Sequence, residues 1–492
     1  MLSNWLRLNN KPVAVLIGPV LFVIIYLIPM EGITAQGRSV LAVTAWVAFW
    51  WITEAIPIAA TSLVPIVLFP LTGGLSLAQT TASYGHKMIF LYLGGFIIAL
   101  AIEKWNLHKR IALQTINIIG RNADLIILGF MLATFFLSMW ISNTATTMMM
   151  LPIALAVANK LDPLNSDGND GIKSKTGFGL SLMLAIAYSA SIGGLSTLIG
   201  TPTNAMFAAV VKEIYNVDID FATWISFALP ISSILLFISW VYLVKFVYPV
   251  KIRNEQLASN EIETELKALG KVTREEKRVT VVFAITALAW ILRSLVLKRF
   301  IPNIDDTIIA IVGALVLFII PSTKKGKMLM DWSTATKLPW GILILFGGGL
   351  SIAAGFQSSG LAFWIGNSLE GLQSLQLVVV LFIVALLVNG LTELTSNVAT
   401  ASILLPILAS LAGVIHIHPF MLMVVATLNA SCAFMLPVAT PPNAVVFSSG
   451  YIRIRDMART GVGMNLISIV IVVLIVWFFM PVIWGIDPYG TL

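Results

Sequence analysis

Ser142 to Ala156 reads SNTATTMMMLPIALA, and Ser396 to Ser410 reads SNVATASILLPILAS. Seven of these fifteen positions are identical at an offset of 254, and the same offset carries Gly94-Gly95 onto Gly348-Gly349. Farther along, Thr201-Pro202-Thr203-Asn204-Ala205 matches Thr440-Pro441-Pro442-Asn443-Ala444 at four of five positions, now offset by 239. A polar insert from about Lys160 to Gly177 accounts for the shorter offset. A repeat on this scale speaks to architecture before any local structure is considered.

The composition says what medium the repeat lives in. Of 492 residues, 58% are hydrophobic and 11% charged, against roughly 25% charged in a soluble domain. Apolar runs recur over Val13 to Met30, Ala42 to Trp51, Met88 to Leu100, Trp224 to Val247, Val279 to Val296, Ile308 to Pro321 and Leu466 to Trp484. Several approach the ~20 residues that span a bilayer as helix, and the short alternating segments of a transmembrane barrel are missing. The fold class is therefore an all-α polytopic membrane protein.

Basic residues orient it. The break from Lys251 to Arg278 holds seven Lys and Arg, which the positive-inside rule places in the cytoplasm. The same rule puts Lys104, Lys109, Arg110 and Arg121 inside, with Lys160, Lys173 and Lys175, then Lys324, Lys325 and Lys327, and finally Arg453, Arg455 and Arg459. Arg38, Lys87, Lys212, Lys298 and Arg299 fall outside. Both sets are satisfied by about eleven spans in the plasma (inner) membrane, amino terminus cytoplasmic and carboxyl terminus external. The run after Arg7 and Lys11 is long for a signal peptide and no small-residue cleavage site follows it, so a retained first helix is expected.

Each half then holds five spans and one re-entrant hairpin. Five is odd, so the halves lie inverted, with substrate bound near the midplane where they meet. The expected division is 1–120, first helix and scaffold; 121–248, transport domain with the first hairpin and unwound helix; 249–278, cytoplasmic linker; 279–371, scaffold again; and 372–492, transport domain with the second hairpin and unwound helix.

The trios Ser142-Asn143-Thr144 and Ser396-Asn397-Val398 read as caps opening the second arm of each hairpin. Thr201-Pro202 and Thr440-Pro441 read as N-cap and first turn after a loosened helix. Four helix amino termini would converge, and such termini bind anions. None of the four motifs contains Lys or Arg. A multivalent anion at the midplane needs compensation, and hydroxyls with unwound carbonyls are hard donors suited to Na+. Ser, Thr and Asn also glue membrane helices together, but two trios and two Thr-Pro pairs in repeat register favour a site.

Other residues carry plainer readings. Glu393, three residues before the second trio, is a candidate for ordering it, and Glu54 for capping or pairing near a helix end. His416 and His418 read as solvated loop residues, Arg293 as a snorkelling one, and Cys432, the only cysteine, as core. One cysteine excludes an intrachain disulfide. No basic stripe with interleaved aromatics appears, so nucleic acid is not an expected partner despite the net charge of +7. An intramembrane enzyme would need a nucleophile with a base, or a metal cluster, and neither pattern occurs in the apolar runs.

At these motifs the chain resembles the divalent-anion/sodium symporter (DASS, INDY) family. Ala430 to Val446, ASCAFMLPVATPPNAVV, is similar to its signature at Ser431, Phe434, Pro437, Asn443 and Val446, and the trio at Ser142 matches in full. The resemblance covers nearly the whole chain and implies a homodimer whose transport domain moves like an elevator against a fixed scaffold. Carried over, it implies one sodium near Ser138, Ser142, Asn143 and Gly200, and a second near Thr392, Thr395, Ser396, Asn397 and Ala439. Carboxylates would meet Asn143, Thr144, Thr201, Asn397 and Thr440, beside Val398 and Pro441. Val398 stands where bacterial members often carry threonine. The implied activity is sodium-coupled symport of a C4-dicarboxylate (succinate, malate, fumarate) or citrate. Sodium-independent exchange and sodium/sulfate symport are the alternatives.

Overall fold

The computed structural model describes residues 11–120, 122–161, 177–249, 255–324, 326–368 and 375–490. Most of the polar insert lies outside the described residues, as do Arg7, Arg121, Lys173, Lys175, Lys251, Arg253 and Lys325.

The first half runs through α1 (Lys11–Leu27), α2 (Ala35–Thr53), α3 (Val64–Thr72), α4 (Leu77–Tyr84), α5 (Lys87–Lys104), α6 (Leu107–Ile119), α7 (Ala123–Ser138), α8 (Asn143–Leu161), α9 (Gly177–Leu195), α10 (Pro202–Tyr215) and α11 (Phe221–Val241). A linker helix, α12 (Glu255–Ala268), leads to α13 (Arg274–Leu292), α14 (Asp306–Ile319), α15 (Trp340–Ser359), α16 (Leu361–Ser368), α17 (Leu377–Thr392), α18 (Asn397–Val414), α19 (Pro419–Ala430), α20 (Pro441–Phe447) and α21 (Ile454–Trp484). Among the described residues the only β feature is an isolated bridge between Pro321 and Met328.

The sequence repeat is a structural repeat. Helices α6, α7 and α8 begin 254 residues before α16, α17 and α18, and α10 begins 239 before α20. Four residues separate α7 from α8 and α17 from α18, which makes each pair a hairpin with its trio at the tip. Seven described helical segments are long and apolar enough to cross a membrane, and six shorter ones are also apolar. With the hairpins α7–α8 and α17–α18, the linker helix α12 and the short α6 and α16 set aside, α4 joined to α5, and α9–α10 and α19–α20 each counted as one broken helix, eleven spans remain among the described residues.

Burial separates the elements that face lipid from those that form the interior. Helix α9 is buried at every residue from Phe178 to Leu195, and its repeat mate α19 from Pro419 to Ala430. A helix apolar on all sides belongs in the centre of a bundle. Both centres carry the unwound stretches. By contrast α1, α13 and α21 present Leu16, Ile285 and Val482 outward. Between centre and periphery the repeated glycine pairs permit close approach. A Cβ on Gly94 would meet Ala310 at 2.7 Å and one on Gly348 would meet Ser62 at 2.8 Å. The second glycine of each pair faces the hairpin-bearing half, towards Ile199 at 3.5 Å and Ser402 at 2.7 Å.

Two plain readings are corrected here. Arg293 does not snorkel: it is 4% exposed, with Asp306 at 3.0 Å, Asp220 at 3.2 Å and Asp305 at 3.5 Å. A guanidinium in reach of three carboxylates gains more than one reaching for the headgroups. His418 is buried rather than solvated, and its Nδ1 accepts the amide of Phe420 at 3.3 Å as the cap of α19.

Candidate functional site

The tips of the two hairpins share one construction. Ser138, the last residue of α7, places Oγ 2.5 Å from Asn143 Oδ1 and 2.7 Å from the carbonyl of Ala190. Its repeat mate Thr392 places Oγ1 2.8 Å from Asn397 Oδ1 and 2.6 Å from the carbonyl of Ala430. Both hydroxyls are fully buried. Each cluster sets two acceptor oxygens around a hydroxyl that has one proton to donate, so one acceptor in each is left short. Hard oxygen donors in surplus over protons are what an alkali cation requires. His, Cys, Asp and Glu do not cluster in threes among the described residues, so these oxygens differ from a transition-metal site.

The first cluster depends on glycine. A Cβ on Gly194 would stand 2.7 Å from Asn143 Oδ1, and one on Gly200 would stand 2.5 Å from the carbonyl of Gly194. The backbone therefore closes round Asn143 only because both positions lack a side chain.

Twelve of the predicted residues line one cavity of about 920 Å³: Ser142, Asn143, Thr144, Gly200 and Thr201 from one half, and Thr395, Ser396, Asn397, Val398, Ala439, Thr440 and Pro441 from the other. Ser138 and Thr392 sit behind it. Tyr92, Phe96, Ile58, Ala59, Ile342 and Leu345 line the same cavity, and among the described residues no Lys or Arg lines the space.

The four amino termini are capped unequally. Ser142 Oγ accepts the amide of Ala145 at 3.3 Å and Thr440 Oγ1 that of Asn443 at 3.4 Å, as caps do. Ser396 and Thr201 make no such bond, contrary to the expectation from their residue types. Among the cavity-lining termini, α18 therefore keeps its first amides uncapped by a side chain, and α10, which opens on Pro202 and so has no first N–H, that of Thr203; such amides are anion donors.

Two asparagines escaped the sequence reading as functional groups. Asn204 Nδ2 donates to the carbonyls of Gly194, Leu195 and Thr197 at 2.7–3.1 Å, and Asn443 Nδ2 to those of Ala433 and Leu436 at 3.0–3.2 Å. Each asparagine thereby shapes an unwound stretch, while its Oδ1 is buried without a hydrogen-bond partner. Their matching places in the TPTNA and TPPNA motifs were the available signal.

Glu393 was expected to order the trio that follows it. Instead its Oε1 accepts the amides of Phe434 and Met435 at 2.8 and 3.0 Å, and its Oε2 that of Leu436 at 3.1 Å, with Asn465 Nδ2 at 2.7 Å. It orders the unwound stretch between α19 and α20.

Comparison with known proteins agrees with this architecture. Solved structures of the YdaH transporter from Alcanivorax borkumensis (TM-score 0.58, 14% identity, 84% of this chain and 88% of that one) and of MtrF from Neisseria gonorrhoeae (0.56, 12%, 97% and 96%) share the fold. By sequence, the sodium-dependent dicarboxylate transporter SdcS of Staphylococcus saprophyticus is 44% identical over 480 residues, 96% of this chain and 92% of that protein. SdcS of Staphylococcus aureus strain USA300 is 45% identical over the same length and shares. The family described as the sodium:sulfate symporter transmembrane region matches residues 9–485. With the repeat, the paired hairpin tips and the unwound central helices running through that whole span, the chain belongs to the sodium:sulfate symporter family.

Proposed function

We propose that the protein is a sodium-coupled symporter of C4-dicarboxylates such as succinate, malate or fumarate. The observation that carries this reading is the pairing of two buried oxygen clusters with a cavity that no Lys or Arg lines among the described residues. A dianion lodged against the uncapped amino termini of α18 and α10 meets partial positive charge from their amides, worth roughly 1 kcal/mol each. Two sodium ions, one at Ser138–Asn143 and one at Thr392–Asn397, supply the remainder, so substrate and ion stabilise each other. Asn143 and Asn397 bridge the two by offering one polar atom to the ion and another to a carboxylate. The identity to dicarboxylate transporters over nearly the whole chain favours this substrate class over sulfate.

In this reading the hairpins and the central helices α9–α10 and α19–α20 move together against the scaffold of α2–α5 and α13–α15. Gly95 and Gly349, which face Ile199 and Ser402 of the moving part, provide the close interface for that movement. The working unit is a homodimer in the plasma membrane, amino terminus inside and carboxyl terminus outside.

The deciding experiment is uptake of labelled succinate, citrate and sulfate into proteoliposomes, with sodium, potassium or choline outside. Sodium-dependent succinate uptake is expected. Equal uptake in choline would sink the coupling and leave the exchanger. For topology, single cysteines at Ala268 and Lys298, both exposed, with Cys432 replaced, should label from opposite sides in intact cells.

A further inference from the structure

Leu198 stands three residues past the end of α9 and four before Pro202 opens α10. Its carbonyl cannot join the helix that follows, because the residue four positions on is that proline, which carries no N–H. Leu198 is also fully buried, so the carbonyl needs a donor from another element. Tyr92, in the second turn of α5, supplies it: the phenol is buried and donates to the Leu198 carbonyl at 2.9 Å. Its ring packs against those of Phe96 and Phe346, each with its centroid 5.2 Å away. One turn along α5, Gly95 lies against Ile199, where a Cβ would come within 3.5 Å. Helix α5 thus holds two successive residues of the unwound stretch, and the next residue is Gly200.

The repeat isolates what the hydroxyl does. Pro437 is the mate of Leu198 and Pro441 that of Pro202, so the same carbonyl is released in the second half. The mate of Tyr92 is Phe346, which has no hydroxyl. The second half can do without one, since Pro437 is half-buried and Val438 is 44% exposed, both on the cavity.

We propose that Tyr92 is a positioning residue of the first sodium site, fixing Gly200 through the Leu198 carbonyl. The inference rests on the two-sodium reading above. Gly200 packs so closely on Gly194 that a Cβ would stand 2.5 Å from its carbonyl, and Gly194 in turn closes on Asn143 Oδ1, which Ser138 Oγ meets at 2.5 Å. A shift of the segment from Leu198 to Gly200 is therefore passed to the oxygens around Ser138, because close-packed contacts transmit strain. The cluster at Thr392 is built on the other stretch and should not feel Tyr92.

The test uses the full chain in proteoliposomes, with succinate uptake titrated by sodium at fixed succinate and by succinate at saturating sodium. Tyr92→Phe removes the hydroxyl and keeps the ring. It is expected to raise the sodium needed for half-maximal uptake about 3- to 10-fold, the factor of one hydrogen bond, and to move the succinate KM at saturating sodium less than ~2-fold. A purely structural loss would lower the unfolding temperature and the amount of active protein without this split. Double variants locate the effect. Combined with Ser138→Ala, Tyr92→Phe should add less than its own factor, because both act on one ion; combined with Thr392→Ala, the two factors should multiply. Should Tyr92→Phe not fold, Gly95→Val pushes on Ile199 one turn along and should show the same split. An unchanged sodium requirement, or factors that combine alike with Ser138→Ala and with Thr392→Ala, overturns the proposal and leaves Tyr92 a packing residue. Wild-type uptake that ignores sodium overturns the two-sodium reading itself, and this inference with it.

Discussion

The two unwound stretches occupy matching places in the repeat yet are held by different chemistry. Between α9 and α10, Leu195-Ser196-Thr197 carries its own hydroxyls: Ser196 Oγ pairs with Ser232 Oγ at 2.7 Å, and Thr197 Oγ1 donates to the carbonyl of Met139 at 2.5 Å. Trp224 Nε1 adds a bond to the carbonyl of Leu195 at 3.0 Å. Between α19 and α20 the equivalent Phe434-Met435-Leu436 has no polar side chain, and three consecutive amides must find an acceptor elsewhere. Glu393 provides it, from the position 254 residues after Met139. One place in the repeat therefore supports both stretches, through a backbone carbonyl in the first half and a carboxylate in the second. An unwound helix in lipid needs its backbone groups paired, but the repeat does not prescribe with what.

The difference predicts unequal sensitivity. Glu393→Ala leaves the amides of Met435 and Leu436 and the Nδ2 of Asn465 without their acceptor, while the amide of Phe434 keeps Asn465 Oδ1 at 3.1 Å, and should cost about 3 kcal/mol or more, read as a large fall in thermal unfolding temperature in detergent together with loss of uptake. Glu393→Gln, which retains one acceptor oxygen, should fall between. Thr197→Val, in the first half, removes two neutral hydrogen bonds, one to the carbonyl of Met139 and one from the amide of Gly200, and should cost about 1–2 kcal/mol. If the two halves respond alike, the carboxylate is dispensable and the comparison breaks.

At the hairpin tips the halves should instead behave alike. In the proposed reading Asn143→Ala and Asn397→Ala each remove an ion ligand and a substrate contact, together about 3 kcal/mol or more, and should cut uptake at least ~100-fold with normal expression. Full uptake by either variant would remove its tip from the site. A step smaller are Ser138→Ala and Thr392→Ala, which should raise the sodium needed for half-maximal uptake about 3- to 10-fold. By linkage, saturating substrate should tighten sodium binding by the factor that sodium tightens substrate; titrating each at fixed values of the other checks both. Smallest is Val398→Thr, which restores the hydroxyl that Thr144 has in the first half. It should lower the succinate KM about 2- to 5-fold, one added hydrogen bond, and no change would show that this position does not face the substrate.

Much of this was written in the chain. The offset of 254 located the hairpins because both copies must build the same backbone, and backbone is specified by local features such as the Ser-Asn caps and Thr-Pro starts. The scarcity of charge established the membrane class, since few charges can be buried in hydrocarbon. Tertiary structure alone decided which caps engage, with Ser142 and Thr440 bonded to their helices and Ser396 and Thr201 left towards the cavity. It likewise sent Glu393 to amides 41 to 43 residues away rather than to its neighbour trio, and drew Arg293 inward to aspartates from two other segments. The physical reason is common to all of these. A cap or a run of apolar residues acts within one turn or one span, whereas the partner of a buried polar group is whichever complementary group packing brings within about 3 Å, and that is a property of the assembled bundle.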